Sequence, residues 1–402
     1  MEAIVFIDST YFGPSKDAMK AGKKLGYSIH LISNRRSLRD LPDVDHVHII
    51  KELKEDYLIL QIDKIRKVYD IKIIISFVDS YVYLAAKLHN VFCIQNISHD
   101  VIKIMQNKVL TREFFQSKSY SPYFTIIKKE DPINKVMYKI KQNYPLILKS
   151  PSSSGSKDVY LVNNEKQMKN RIHFLRNRNP NEDLIIEEYL MGPQFIVEAI
   201  VYEGNTQIVA VIEQTITHNT KFIVTGYSIV SEAEEKIHSS ITLFTKHVLN
   251  DLGIKNGNCH LELRLVDGVW RIVEINPRMS GGAMNRLLYE TYGFDYAEQI
   301  LKLYRGEQPS IERKYSLCIY AHYITVNSIG KLLSVSGIEQ AKNLPGIIEV
   351  LITAKEGQVL SPPLSMGHRY GIVIAKGNSC DEAKANAIRA SEKITFDMIP
   401  IS

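Results

Sequence analysis

The chain has 402 residues, 45% of them hydrophobic, four cysteines and a formal net charge of +6. This apolar content supplies cores for about three domains and excludes a disordered chain. Lysines and arginines are interspersed with acidic residues along the whole length, and no basic stripe interleaved with aromatics stands out. That argues against a nucleic-acid partner and suits a small anionic ligand.

Cys93, Cys259, Cys318 and Cys380 lie far apart, without C-x-x-C or metal-ligand spacing. They read as buried or incidental thiols of a reducing compartment. The stretch Met1-Glu-Ala-Ile-Val-Phe-Ile-Asp8 reads as a buried strand rather than a leader, and no apolar run reaches the roughly 18 residues of a membrane span. The expectation is a cytoplasmic protein with no membrane partner.

Residues 1–97 alternate strand and helix: a strand at Ala3–Ile7, a helix at Ser15–Leu25, a strand at Ser28–Ile32, a helix at Ile59–Tyr69, a strand at Lys72–Phe77 and a helix at Tyr81–His89. This pattern predicts a small, Rossmann-like, doubly wound parallel sheet. It lacks G-x-G-x-x-G, so no dinucleotide is assigned. The Asp8–Ser15 turn could offer backbone N–H groups to a carboxylate, or be a plain turn and helix cap.

Residues 98–190 open with a helix bearing Asn107-Lys108. Pro145-Leu-Ile-Leu-Lys149-Ser-Pro-Ser-Ser-Ser-Gly155-Ser-Lys-Asp-Val-Tyr-Leu-Val162 then reads as a strand ending in lysine, a small-residue loop and a second strand. Backbone N–H groups of Ser153, Ser154, Gly155 and Ser156 can close over phosphate oxygens; an ordinary hairpin turn is the alternative. Leu184-Ile-Ile-Glu187-Glu188-Tyr189-Leu190-Met-Gly192-Pro193-Gln194-Phe195 joins two strands by a hinge that presents backbone groups to an adenine edge; a charged strand end is its alternative.

Residues 191–305 hold the most informative segment, His260-Leu-Glu-Leu-Arg-Leu-Val-Asp-Gly-Val-Trp-Arg-Ile-Val-Glu-Ile-Asn-Pro-Arg278, a β-hairpin turning at Asp267-Gly268. A two-residue loop pairs Val266 with Val269 and sends Glu262 and Glu274 to opposite faces. A three-residue loop with a G1 bulge at Gly268 pairs Leu265 with Val269 and gathers His260, Glu262, Glu274 and Asn276 on one face. The bulged loop is the expectation, with the two carboxylates diagonal and their Cα atoms roughly 7 Å apart, close enough to grip the same hard cation. A helix at Phe294–Tyr304 closes this part. Residues 306–402, beyond a polar boundary near Gly306–Pro309, show short strands, a strand at Tyr370–Ala375 and a helix at Cys380–Ile394.

The ordered set Asn107-Lys108, Pro145-x-x-x-Lys149 with its Ser/Gly loop, Glu187-Glu188-Tyr189-Leu190-x-Gly192-Pro193-Gln194-Phe195, Glu262 and Glu274-x-Asn276-x-Arg278 resembles the ATP-grasp superfamily. The resemblance implies an α/β and α+β architecture. A pre-ATP-grasp domain (1–97) would precede a two-lobed core with the lid and first lobe at 98–190 and the metal-bearing second lobe at 191–305. A small α+β domain (306–402) would follow.

It also implies roles. Lys108 and Lys149 would hold the α- and β-phosphates, and residues 152–158 would cover the triphosphate. Glu187 would meet the adenine amino group and the backbone of Glu188 and Leu190 its edge. Gln194 stands where D-alanine ligases carry a ribose-binding glutamate. Glu262, Glu274 and Asn276 would bind two Mg2+ ions, with Mn2+ as a substitute.

D-alanine ligases place Arg two residues before the first metal ligand, where this chain has His260. His260-x-Glu262 with Glu274-x-Asn276-x-Arg278 and Gly281-Gly282 is similar to bacterial L-amino-acid ligases, which makes Arg278 and His260 the candidate catalytic residues. Leu344-Pro-Gly346-Ile-Ile-Glu-Val350 and Arg369-Tyr-Gly371-Ile-Val-Ile-Ala375 resemble the C-terminal domain of that subgroup. The implied activity joins a carboxylate to an amine through an acyl phosphate, giving ADP and phosphate. The alternatives are an ATP-grasp carboxylase or acyl-CoA-forming ligase, and a nucleotide-binding regulatory protein without turnover. Partners would be the small-molecule acid and amine, with a homodimer compatible. No general base is identifiable; His218 and Lys221 are the nearest candidates.

Overall fold

Runs of β-branched residues at the N-terminus alternate with amphipathic helices, and the first layer follows from that rhythm. It contains β1 (Glu2–Ile7), α1 (Pro14–Lys24), β2 (Ser28–Ser33), β3 (His46–Ile49), α2 (Glu55–Ile65), β4 (Asp70–Ile75) and α3 (Val82–Phe92). The structure, a computed structural model, describes residues 1–140, 144–153, 155–218, 222–230 and 235–401. The four strands pair in parallel in the order β3-β2-β1-β4. Ile4 and Phe6 face one core while Val5 and Ile7 face Leu58 and Ile62 of α2 on the other. Burial on both faces is why these strands are apolar throughout. The sequence does not announce β3: His46-Val-His-Ile49 is a half-exposed edge strand without an apolar run.

The helix expected around Asn107-Lys108 is two helices, α4 (His99–Gln106) and α5 (Lys108–Phe115). The Asn107 side chain accepts the N–H groups of Val109 and Leu110, capping α5 and setting Lys108 at its first position. Next come β5 (Phe124–Ile127), α6 (Ile133–Lys139), β6 (Leu146–Lys149), β7 (Val159–Val162), α7 (Glu165–Arg178) and β8 (Leu184–Glu188). Their antiparallel sheet, β5-β8-β6-β7, packs its own core of Leu146, Leu148, Ile172 and Ile186. Lys149 and Glu187 thereby lie at strand ends.

The following elements are β9 (Gln194–Tyr202), β10 (Asn205–His218), β11 (Phe222–Ile229), α8 (Glu235–Leu252), β12 (Gly257–Val266), β13 (Val269–Asn276), α9 (Met284–Tyr292) and α10 (Tyr296–Tyr304). The C-terminal part adds β14 (Cys318–Ile324), β15 (Gly330–Ser336), α11 (Ile338–Lys342), β16 (Ile347–Ile352), β17 (Val359–Leu360), β18 (Gly371–Gly377), α12 (Cys380–Ser391) and β19 (Thr395–Pro400). One eight-stranded sheet, β13-β12-β9-β10-β11-β14-β18-β16, runs across the boundary expected at Gly306–Pro309, because β11 pairs with β14. The C-terminal part is therefore joined edge to edge with the sheet that carries the hairpin. β15, β17 and β19 form a separate small sheet. Among the described residues no helix is long and apolar enough to cross a membrane.

Candidate active site

The hairpin corrects the expected turn. Val266 pairs with Val269, so the loop has two residues, and Asp267 and Gly268 both take positive φ (48° and 79°) as a primed turn requires. The irregularity lies further in: the register shifts between Leu263, opposite Ile272, and Glu262, opposite Glu274, which leaves Val273 as the extra residue. Arg112 donates to the Val273 carbonyl at 2.6 Å and Tyr120 accepts the Ile272 N–H, which fixes the bulge there. Parity is restored, and His260, Glu262, Glu274 and Asn276 share a face. Glu262 and Glu274 are direct cross-strand partners, not diagonal ones.

Two half-buried carboxylates facing each other repel. Burial and the Glu274 charge push the Glu262 carboxyl well above the ordinary range. Burial would raise Glu274 too, but Lys108 and Lys149 outweigh it and hold Glu274 low. Lys108 Nζ reaches Glu274 at 3.0 Å and donates to the Ser153 carbonyl of the small-residue loop at 2.8 Å.

His260 is buried, and burial brings its imidazole down to about 4, so it is neutral. Its Nδ1 lies 2.8 Å from the Arg278 carbonyl, an acceptor, so Nδ1 donates and Nε2 accepts from the Asn276 amide nitrogen at 3.2 Å. The Asn276 side chain is thereby oriented with its oxygen available as a ligand. The expected catalytic His260 thus has both ring nitrogens engaged within the protein.

Glu187 also differs from its expected adenine contact. Its carboxylate meets Arg112 Nε at 2.6 Å and Lys149 Nζ at 2.8 Å, and all three side chains are nearly sealed from solvent. Against burial, these two cations hold Glu187 down to about 2. Burial and Arg112 in turn lower Lys149, with Glu187 opposing them. Glu187 is a counter-ion that keeps Lys149 aimed.

Gln194 is likewise committed: its amide nitrogen donates to Gln214 at 2.8 Å and Glu262 at 3.1 Å, and its oxygen accepts from Arg264 at 2.9 Å. Its amide nitrogen thus braces Glu262 and Gln214, while its oxygen, which takes one hydrogen bond from Arg264, keeps a second lone pair. The hinge residues Glu188, Tyr189 and Leu190 line the cavity. At Gly192 a Cβ would sit 2.0 Å from the Leu265 carbonyl, so only glycine lets the hinge pass the hairpin this closely.

Arg278 forms a partly buried ion pair with Asp79, from the turn after β4 of the first layer. Asp79, Arg112 and Arg369 were missed by the sequence reading. Asp79 follows a parallel strand at its carboxyl end, where ligands of such sheets gather, and Arg112 lies one helical turn after Lys108; either could have been suspected. Arg369 opens the stretch that resembles the C-terminal domain of L-amino-acid ligases, but nothing in that stretch assigned it to the site.

All of Lys108, Lys149, Ser153, Gly155, Ser156, Glu187, Glu188, Leu190, Gln194, His260, Glu262, Glu274, Asn276 and Arg278 line one cavity of about 270 Å³, walled by Ile147, Val159, Ile196, Ile216 and Phe222. Ser154, Lys221 and the side chain of His218 lie outside the described residues. No three His, Cys, Asp or Glu side chains gather as a metal group among the described residues. Two carboxylates and one amide nevertheless suit Mg2+, which takes one or two carboxylates and completes its octahedron with phosphate and water oxygens. The repulsion between Glu262 and Glu274 is what a bound cation would relieve.

Residues 142–286 match the ATP-grasp domain family, and residues 322–398 match the L-amino acid ligase C-terminal domain 2. An uncharacterized protein of Sinorhizobium fredii is 20% identical over 100% of this chain and 84% of its own length. Dapdiamide A synthase of Enterobacter agglomerans is 25% identical over 40% of this chain, and the shared stretch spans 38% of that protein. The crystal structure of an L-amino acid ligase from Bacillus licheniformis superposes with a TM-score of 0.84 at 17% identity, covering 99% of each chain, which establishes the common fold.

Proposed function

We propose, from the ATP-grasp domain and the L-amino acid ligase C-terminal domain that this chain carries, that it joins a small carboxylic acid, an amino acid or a relative of one, to an amine at the expense of ATP. The observation that carries this reading is the direct pairing of Glu262 with Glu274, flanked by Asn276 and Arg278 and facing Lys108, Lys149 and the phosphate loop in one cavity. The match at 322–398 favours the amino-acid ligase branch over carboxylation or acyl-CoA formation.

In the first step a carboxylate oxygen attacks the γ-phosphorus and the bond to the β-phosphate oxygen breaks, giving an acyl phosphate and ADP. In the second the amine nitrogen attacks the acyl carbon, the C–O bond to the phosphoryl group breaks, and the nitrogen's proton leaves with phosphate. Such chemistry needs positioning and charge neutralisation more than a nucleophilic side chain. Lys108 and Lys149 hold the phosphates, each kept in place by Glu274 or Glu187. Mg2+, two ions held by Glu262, Glu274 and Asn276, would offset charge on the transferred phosphoryl group. Arg278, steadied by Asp79, faces the transferred group and the tetrahedral intermediate. His260 keeps Asn276 turned to the metal side. The loop at 152–158 shields the acyl phosphate from water. The two lobes at 98–190 and 191–305 serve the nucleotide, with 1–97 and 306–402 completing the site.

Phosphate release from MgATP, measured against a panel of amino-acid pairs with mass spectrometry of the products, tests the proposal. The expected product mass is that of the two substrates less one water. Phosphate release that depends on bicarbonate, or that no acid stimulates, would overturn it.

A further inference from the structure

Among the described residues, four of the five cations that line the cavity are already committed. Lys108 pairs with Glu274, Lys149 with Glu187 and Arg278 with Asp79, while Arg264 donates to the Gln194 amide oxygen and the Leu190 carbonyl. Arg369 differs: among the described residues its charged neighbourhood contains Tyr323 and Tyr227 and no carboxylate. Its guanidinium is nonetheless rigidly set. Nε donates to the Met366 carbonyl at 3.2 Å, the Tyr227 hydroxyl is a further hydrogen-bond partner, and the guanidinium carbon lies 3.8 Å from the centre of the Tyr323 ring. Nη1 is buried and without a partner among the described residues. A desolvated, unpaired guanidinium is unfavourable on its own, and its planar fork matches a carboxylate.

Position narrows the ligand. Nη2 lies 3.7 Å from where a Cβ on Gly282 would be, so the guanidinium rests against the loop that follows Arg278. A carboxylate that reacts must lie by Glu262, Glu274 and Arg278, where cations already serve it. A second fork beyond Gly282 suits a carboxylate that does not react. The segment carrying it also holds the phosphate loop, since the Met366 N–H donates to the Gly155 carbonyl at 3.2 Å.

Resting on the ligase reading above, we propose that Arg369 binds the carboxylate of the amine substrate, so that the C-terminal part selects an acceptor that is itself an amino acid. One segment, residues 365–369, then contacts both the acceptor and the loop over the nucleotide.

The test uses the full chain and two kinds of nucleophile. Hydroxylamine, which has no carboxylate, traps any acyl phosphate as a hydroxamate and reports the first step with the common L-amino acids as acids. L-Alanine, L-leucine and L-phenylalanine are then compared as acceptors with their decarboxylated amines. Wild type should favour each amino acid over its amine by about 30-fold or more in kcat/KM. Arg369→Gln should bring that ratio close to one through the KM of the amine substrate, and Arg369→Lys should restore part of it. Equal use of amino acid and decarboxylated amine by wild type overturns the assignment without needing a variant. So does an Arg369→Gln effect that falls on the acid's KM in the hydroxylamine assay. If no acid yields a hydroxamate, the ligase reading itself fails and the proposal with it.

Discussion

Glu187→Gln removes the carboxylate that Arg112 and Lys149 share while preserving its shape. The side chains of Arg112, Lys149 and Glu187 are 3%, 7% and 7% exposed, so the charges left behind cannot be solvated by small adjustments. Breaking a buried pair of this kind destabilises by about 3–5 kcal/mol. The lower end, about 3 kcal/mol, is expected because Arg112 keeps its bond to the Val273 carbonyl. Lys149, already lowered by burial and by Arg112, then loses its largest opposing influence and falls further. A lysine partly neutral at pH 7 grips phosphate poorly, which should weaken MgADP binding by about 2 kcal/mol, roughly 30-fold in Kd. Chemical denaturation gives the first quantity and calorimetric titration of MgADP the second. The sign with pH is fixed: lowering the pH reprotonates Lys149, so the variant should regain affinity while wild type changes little. Unchanged stability with an altered preference for ATP over GTP would refute the reasoning, since that is the signature of a glutamate reading the adenine amino group.

Glu274→Gln should abolish phosphate release while MgADP binding stays measurable; retained turnover would remove Glu274 from the site. Arg278→Ala should lower kcat more than nucleotide affinity, and a pure affinity loss would argue against a role in the transfer step. Burial holds the wholly buried His89 down to about 4, with its Nδ1 accepting the Ile74 N–H. A histidine lowered on folding stabilises fully above its unfolded value near 6.5, and that contribution, about 3 kcal/mol, is lost as pH falls through 4. Denaturation midpoints should therefore drop between about pH 7 and pH 4.5, less steeply in His89→Gln; parallel slopes would contradict the assignment.

The hairpin shows how far a sequence reading reaches. Gathering Glu262, Glu274 and Asn276 on one face requires one extra residue somewhere, and parity alone predicts that a bulge exists. Its position is indifferent to parity. Arg112 and Tyr120 fix the bulge by bonding Val273 and Ile272 from 161 and 152 residues away, and no local pattern encodes them. The same limit applies to Glu187, whose partners Arg112 and Lys149 come from other elements. Glu187 looked free in sequence because both cations arrive through tertiary packing. The parallel sheet was legible where burial on two faces forces apolar runs, and β3 was not because an edge strand needs none. Arg369 reaches the cavity only because β14 joins β11, a pairing between strands about ninety residues apart.

The acyl phosphate is the centre of this account, and isotope transfer reads it directly. The amino acid that best stimulates phosphate release is supplied with both carboxylate oxygens as 18O, together with its preferred amine and MgATP. Mass spectrometry of the phosphate should find one 18O per molecule formed, because the attacking carboxylate oxygen stays on phosphorus when the amine displaces it. Unlabelled phosphate, with both labelled oxygens retained on the acid, would contradict the mechanism.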